Sequence, residues 1–165
     1  MEQFTLFYGG PFGQWYMCNF VVDGITYNCA EQYMMAQKAI YFHDMLTYRN
    51  IMSSHNPKSQ KALGRRVKGF NSTQWNEVAR DIVYKGNYEK FTQNIDKSGD
   101  DIFDKLMKTC GTTLVEASPY DIIWGIGLGE DNPDALDKTK WKGLNWLGET
   151  LTKLKENLLI EMNDF

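Results

Sequence analysis

The stretch YNCAEQYMMAQKAIYF, Tyr27 to Phe42, limits the possible folds more than any other part of the chain. Wound as a helix at about 100° per residue, it has almost no solvent face. With Glu31 at the origin, Lys38 lies about 20° away, and Met34, Met35 and Phe42 fall within about 60°. Ala30, Tyr33, Ala36, Ala39, Ile40 and Tyr41 fill most of the rest. Such a helix has to be wrapped by the remainder of the chain. Glu31 and Lys38 then have to be paired or to face a cavity, because burying a lone charge is costly. They stand two turns apart, about 10 Å along the axis. That is too far for a short ion pair and suits a grip on one small ligand from two ends. Scaffolding readings compete. Asn28 is a natural N-cap with Glu31 at N3, the spacing of a capping box, and a lysine in Lys38's place can snorkel to water.

The chain is long enough to do the wrapping. A domain of 165 residues buries roughly 70% of its unfolded surface and needs no disulfide or metal staple. The three cysteines, Cys18, Cys29 and Cys110, are odd in number and lack C-x-x-C spacing, which argues against a disulfide framework or a zinc site. His43 and His55 have no partner at ligand spacing, so neither metal nor cofactor is expected. With no signal peptide at the N-terminus and no apolar run near ~20 residues, the expectation is a cytoplasmic protein without membrane attachment. A net charge of −3 disfavours tight binding to unmodified DNA by counterion release. A local basic patch remains at GRRVK, Gly64 to Lys68.

Residues 4 to 27 read as short strands, with Asp23-Gly24 as a two-residue hairpin turn. Asn28 to Lys108 reads mainly as helix. Asn71 or Ser72 caps one helix, whose Trp75, Val78, Ala79, Ile82 and Val83 share a face. Lys97 to Asp101 is a polar loop, and the last helix starts near Leu144. The fold class is therefore mainly α (α+β), a compact multihelical single domain over residues 1–165 with a small antiparallel β element near the N-terminus.

A second chemical stretch is LVEASPYDIIWGIG, Leu114 to Gly127. Glu116 sits near the end of a short strand. Asp121 follows the Ser118-Pro119 turn, where an aspartate can also bond its own backbone. Trp124 offers a flat surface beside Gly125, whose missing side chain leaves room for a ligand. A tight structural turn around a core Trp is the competing reading. Gly125, Gly127 and Gly129 lack the spacing of a dinucleotide fingerprint.

Taken in order, these pieces resemble the NADAR (YbiA-like) superfamily over nearly the whole chain. MCNF (Met17 to Phe20) is similar to the family's Leu-Ser-Asn-Phe element, AEQYMMAQKA (Ala30 to Ala39) to its Glu…Gln-Lys helix, and ALGRRV (Ala62 to Val67) to its Gly-Arg element. Trp75, Lys90-Phe91, LVEASPYDIIWGIG and WKGLNWLGETL (Trp141 to Leu151) follow in family order. Gln32 stands where the family often has His, and Cys18 where it has Ser. The resemblance implies a mostly helical domain with a small β element. It also implies activity on N-glycosidic bonds of ribosides, either a ribosylamino-pyrimidine phosphate of the riboflavin pathway or ADP-ribose on the exocyclic amine of guanine, free or within nucleic acid.

The expected chemistry is cleavage between ribose C1′ and an exocyclic nitrogen. Lys38 is the candidate for a Schiff-base nucleophile, its pKa lowered by burial. Glu31 is the candidate general acid/base, with Glu116 and Asp121 as partner carboxylates. Trp75 and Trp124 are candidates for stacking on a base beside Gly125. Asn19, Phe20, Gln37 and Asn145 complete the expected binding set. Two rivals stand: direct water attack assisted by two carboxylates, and a non-catalytic ADP-ribose or nucleotide binder.

Overall fold

Asp23 and Gly24 take left-handed φ values of 51° and 82°, the geometry a two-residue hairpin requires. In this computed structural model, which describes residues 1–95 and 101–163, they join two of four short strands. The described elements, in chain order, are β1 (Phe4–Phe7), β2 (Phe20–Val22), β3 (Ile25–Tyr27), α1 (Ala30–Tyr41), α2 (Met45–Met52), α3 (Pro57–Gly64), α4 (Ser72–Gln93), α5 (Ile102–Met107), β4 (Thr113–Glu116) and α6 (Trp146–Asn163). The protein is mainly α, as expected. Chain contacts divide it into two compact units, Gln14–Asn94 and Met1–Gly13 with Ile95–Phe165.

In the unit Gln14–Asn94, β2 and β3 pair antiparallel from Phe20↔Tyr27 to Val22↔Ile25. This is the small antiparallel element the sequence predicts. The start of α1 differs from the expectation. Cys29 caps the helix, its Sγ accepting the Gln32 N–H, so Glu31 is not the residue that closes a capping box. Gln32 reaches back instead, its Oε1 accepting the Asn28 N–H at 2.8 Å. Asn28 is unavailable as a cap because its side chain bridges to the Ser54 carbonyl and to Gln60.

Two glycines let neighbouring helices close on α1. A Cβ at Gly64 of α3 would collide with the Met35 thioether, and one at Gly86 of α4 would come within 2.5 Å of the Tyr33 ring. The helix is buried from Ala30 to Ala36 and again at Ala39. It surfaces only at its C-terminal end, where Ile40 is 37% exposed and Tyr41 39%. Helix α4 is capped by Asn71, whose side chain accepts the Gln74 N–H. It buries Trp75, Ala79 and Val83 as its periodicity predicts.

In the other unit, β1 and β4 pair in parallel from Phe4↔Thr113 to Phe7↔Glu116. Val115, Ile126, Leu128 and Ala135 pack together beneath Phe4, Leu6 and Trp141. Helix α6 starts at Trp146 rather than Leu144, because Asn145 turns out of the helix with φ 54°. Lys155 of α6 donates to the carbonyls of Thr109 and Thr112 and so fastens the turn after α5. Of the loop expected at Lys97 to Asp101, residues 97–100 lie outside the described residues. Asp101 caps α5, accepting the Asp104 N–H at 2.8 Å. No helix among the described residues is long and apolar enough to cross a membrane.

Candidate active site

The unit Gln14–Asn94 builds its charged stripe on α1. Glu31, Met35 and Lys38 recur at helical spacing on one face. Glu31 is buried, 6% exposed, and its N–H donates to the Gln14 carbonyl at 2.9 Å. Lys38 is half-buried, and its Nζ lies 4.4 Å from the centre of the Phe70 ring, an attractive cation–π arrangement. Burial lowers the Lys38 pKa, the Glu31 carboxylate acts to raise it, and the Arg65 guanidinium pushes it down again. The Phe70 ring in turn packs edge-on against Phe42 at 5.5 Å, so the Lys38 amine sits beside an aromatic pair at the C-terminal end of α1.

The other residues expected to bind substrate here have different surroundings. Gln37, next to Lys38, donates to the Tyr27 hydroxyl at 3.4 Å. Phe20 is core, stacked on Tyr27 and set edge-on to Tyr33. Trp75 is 6% exposed and tilted against Tyr41. Asn19 is exposed, its carbonyl accepting from Asn94 at the end of α4.

The unit containing β4 brings Glu116, Asp121, Trp124, Gly125 and Asn145 into one turn system. Asp121 Oδ1 accepts the N–H groups of Ile123 and Trp124 at 2.9 and 2.8 Å, so this carboxylate holds its own loop. The space at Gly125 is filled by protein: a Cβ there would sit 3.0 Å from the carbonyl oxygens of both Asp121 and Glu116. That close approach, rather than an open face for a ligand, accounts for the glycine. Asn145 is fully buried, with Oδ1 accepting the Glu116 N–H and Nδ2 donating to the Leu114 carbonyl. Its side chain therefore clamps β4. Trp124 is half-buried, edge-on to Trp146 at 5.6 Å. Among the described residues no group of three or more His, Cys, Asp or Glu is placed to hold a metal ion.

Residue-type reasoning passed over Lys90, which is 0% exposed. Burial pushes its pKa down to about 8, while the Cys18 and Cys29 thiols pull it up. The Tyr16 and Phe91 rings lie 5.6 and 4.9 Å from its nitrogen. The available signal was position: Lys90 continues the buried Val83–Asn87 stripe of α4. Gln32 was likewise undervalued. Its Nε2 donates to the carbonyls of Ile51 and Ser54, pinning α1 to the end of α2.

The arrangement on α1 supplies an amine biased toward its neutral, nucleophilic form and a buried carboxylate on the same face. Comparison with known proteins shows what the chain as a whole is similar to. The profile of the NADAR domain matches residues 6–159. The chain is 43% identical over 150 residues to "N-glycosidase R617" of Acanthamoeba polyphaga mimivirus, spanning 88% of this chain and 85% of that protein. It is 28% identical over 144 residues to the chloroplastic riboflavin biosynthesis protein PYRR of Zea mays, spanning 83% of this chain and 20% of that protein. The NMR structure of the E. coli protein YbiA superposes with a TM-score of 0.79 at 27% identity, covering 100% of this chain and 90% of that one.

Proposed function

This chain belongs to the NADAR domain family, and from that premise we propose that it is an N-glycosidase whose active site is built on the Glu31–Lys38 stripe. The unit of function is the whole chain. Its substrate is a riboside in which C1′ carries an exocyclic amine: ADP-ribose on the amino group of guanine, or a ribosylamino-pyrimidine phosphate.

Such a riboside is an aminal. Its C1′–O4′ bond opens as O4′ takes a proton, leaving an imine between C1′ and the amine nitrogen. The neutral Lys38 amine adds to C1′. Glu31 passes a proton to the departing nitrogen, and the free amine leaves with a Lys38 imine behind it. Water adds to that imine, Lys38 departs, and the sugar recloses. The net reaction consumes one water and releases the amine and the free ribose derivative. The rival route is direct attack of water on C1′ assisted by two carboxylates, with no covalent intermediate.

The observation that carries the proposal is the half-buried Lys38, its pKa lowered by burial, on one face with buried Glu31. The test is borohydride added during turnover, followed by peptide mass mapping. A ribosyl adduct on the Lys38 peptide is expected. An unlabelled protein that still releases free sugar would remove the Schiff base and favour the two-carboxylate route.

A further inference from the structure

Glu31 is fixed from outside its own helix. The first-turn N–H groups of a helix have no acceptor within it. In α1 the Cys29 thiol serves the Gln32 N–H, and the Gln14 carbonyl serves the Glu31 N–H at 2.9 Å. Gln14 is held in turn by its side chain. Its Oε1 accepts from Asn87 Nδ2 at 2.9 Å, and its Nε2 points at the Met34 sulfur at 3.9 Å. A line of hydrogen bonds therefore runs from α4 through Gln14 to the backbone of the candidate acid.

Asn87 breaks two local rules at its place in that line. It stands inside α4 and is 0% exposed, where asparagine is a poor helix former. Its Nδ2 also donates to the Val83 carbonyl at 2.9 Å. This second bond fixes the amide orientation, because a flipped amide would set its oxygen against that carbonyl. The Oδ1 atom is then buried without a hydrogen-bond partner among the described residues, and burying an unsatisfied acceptor is costly. An apolar side chain of similar size would avoid both costs. The preceding residue, Gly86, is where α4 closes on the Tyr33 ring of α1, so Asn87 belongs to the contact between these two helices. Residues that break local rules concentrate where function requires them. What Asn87 supplies in return is a donor aimed at Gln14.

We propose that Asn87 is a positioning residue for Glu31 and acts through Gln14. Its part in catalysis rests on the N-glycosidase reading. The Asn87 amide holds the Gln14 side chain, the Gln14 carbonyl stays on the Glu31 N–H, and the carboxylate is kept where it passes a proton to the departing nitrogen. Misplacing a reacting group by about 1 Å is enough to cost roughly 10²-fold in rate.

The test uses Asn87→Leu, Gln14→Met and the double variant. Asn87→Leu removes the donor together with the orphaned acceptor, so its melting temperature should stay close to wild type. Its kcat should fall about 10- to 100-fold with KM little changed, a split that a merely structural role would not produce. Gln14→Met should show the same loss, and the double variant no more than either single one. A wild-type kcat in Asn87→Leu overturns the proposal, and losses that multiply in the double variant overturn the route through Gln14. Should Asn87→Leu fail to fold, Gln14→Met decides alone, and its full activity overturns the proposal. Hydrogen exchange at the Glu31 amide judges the positioning without turnover. Faster exchange there in Asn87→Leu, with the rest of α1 unchanged, supports it. Unchanged exchange overturns it, even if the wild type cleaves no riboside and the N-glycosidase reading falls.

Discussion

Gln32, and not Glu31, closes the first turn of α1: its Oε1 accepts the Asn28 N–H at 2.8 Å while its Nε2 donates to the Ile51 carbonyl at 3.1 Å. One amide ties the helix start both to the hairpin strand before it and to α2. Gln32→Ala leaves the Asn28 N–H without its acceptor, while the Ile51 carbonyl keeps the Ser54 N–H. An orphaned buried polar group costs about 1–3 kcal/mol, and equilibrium denaturation should show a loss of that order.

Gly64 sets how closely α3 approaches α1. Gly64→Ala drives a methyl into the Met35 thioether, and overpacking of this kind costs roughly 1–3 kcal/mol. Met35→Ala in the same chain should recover part of the loss, because it vacates the colliding volume. Thermal melts of the single and double variants measure the coupling, and strict additivity would contradict the contact.

How far the sequence reaches can be judged from residues like these. The Asp23-Gly24 turn and the Asn71 cap were legible because each depends on local chemistry. Cys29 was not, since a thiol is a weak acceptor and the adjacent Asn28 is the better cap by type. The β1–β4 pairing joins strands more than a hundred residues apart, and no local pattern encodes it. The residue types at Asn145 and Gly125 suggest ligand contacts because composition cannot say whether a polar group or a gap is already filled by the chain's own backbone. The charged stripe on α1 was legible because its periodicity isolates two charges among apolar neighbours.

Lys90 should imprint a pH dependence on stability. Its folded pKa of about 8 lies below the 10.5 of an ordinary lysine, so between these values the unfolded chain binds more protons than the folded one. Stability therefore rises with pH across that window. The gain is on the order of 3 kcal/mol at most. Denaturation midpoints from pH 8 to 10 should increase in wild type and lose that slope in Lys90→Met. An identical slope in both would assign it to other groups.

The pH–rate profile should respond to the neighbours of Lys38 in opposite directions. A neutral amine is the nucleophile, so kcat/KM rises with pH up to the lowered Lys38 pKa. Glu31 raises that pKa and Arg65 lowers it. Arg65→Gln should move the rising limb to higher pH, whatever it does to substrate affinity. Glu31→Gln should move it to lower pH on its residual activity. Limbs that stay fixed in both variants would mean that Lys38 is not the titrating group.

Glu31→Gln isolates the proton-transfer role from the fold. The helix start is held by Cys29 and Gln32, so the Glu31 carboxylate is not needed as a cap. Glutamine keeps nearly the same volume and its oxygen still accepts hydrogen bonds, but it does not exchange a proton at neutral pH. The melting temperature should stay close to wild type while turnover falls roughly 10²-fold or more, the usual scale for a lost general acid/base. The deficit should appear in kcat more than in KM, since the proton moves only as the C1′–N bond breaks. In Glu31→Ala, which vacates the carboxylate's position, an exogenous carboxylic acid such as formate should restore part of the rate. A fully active, normally folded Glu31→Gln protein would overturn the acid/base role of Glu31.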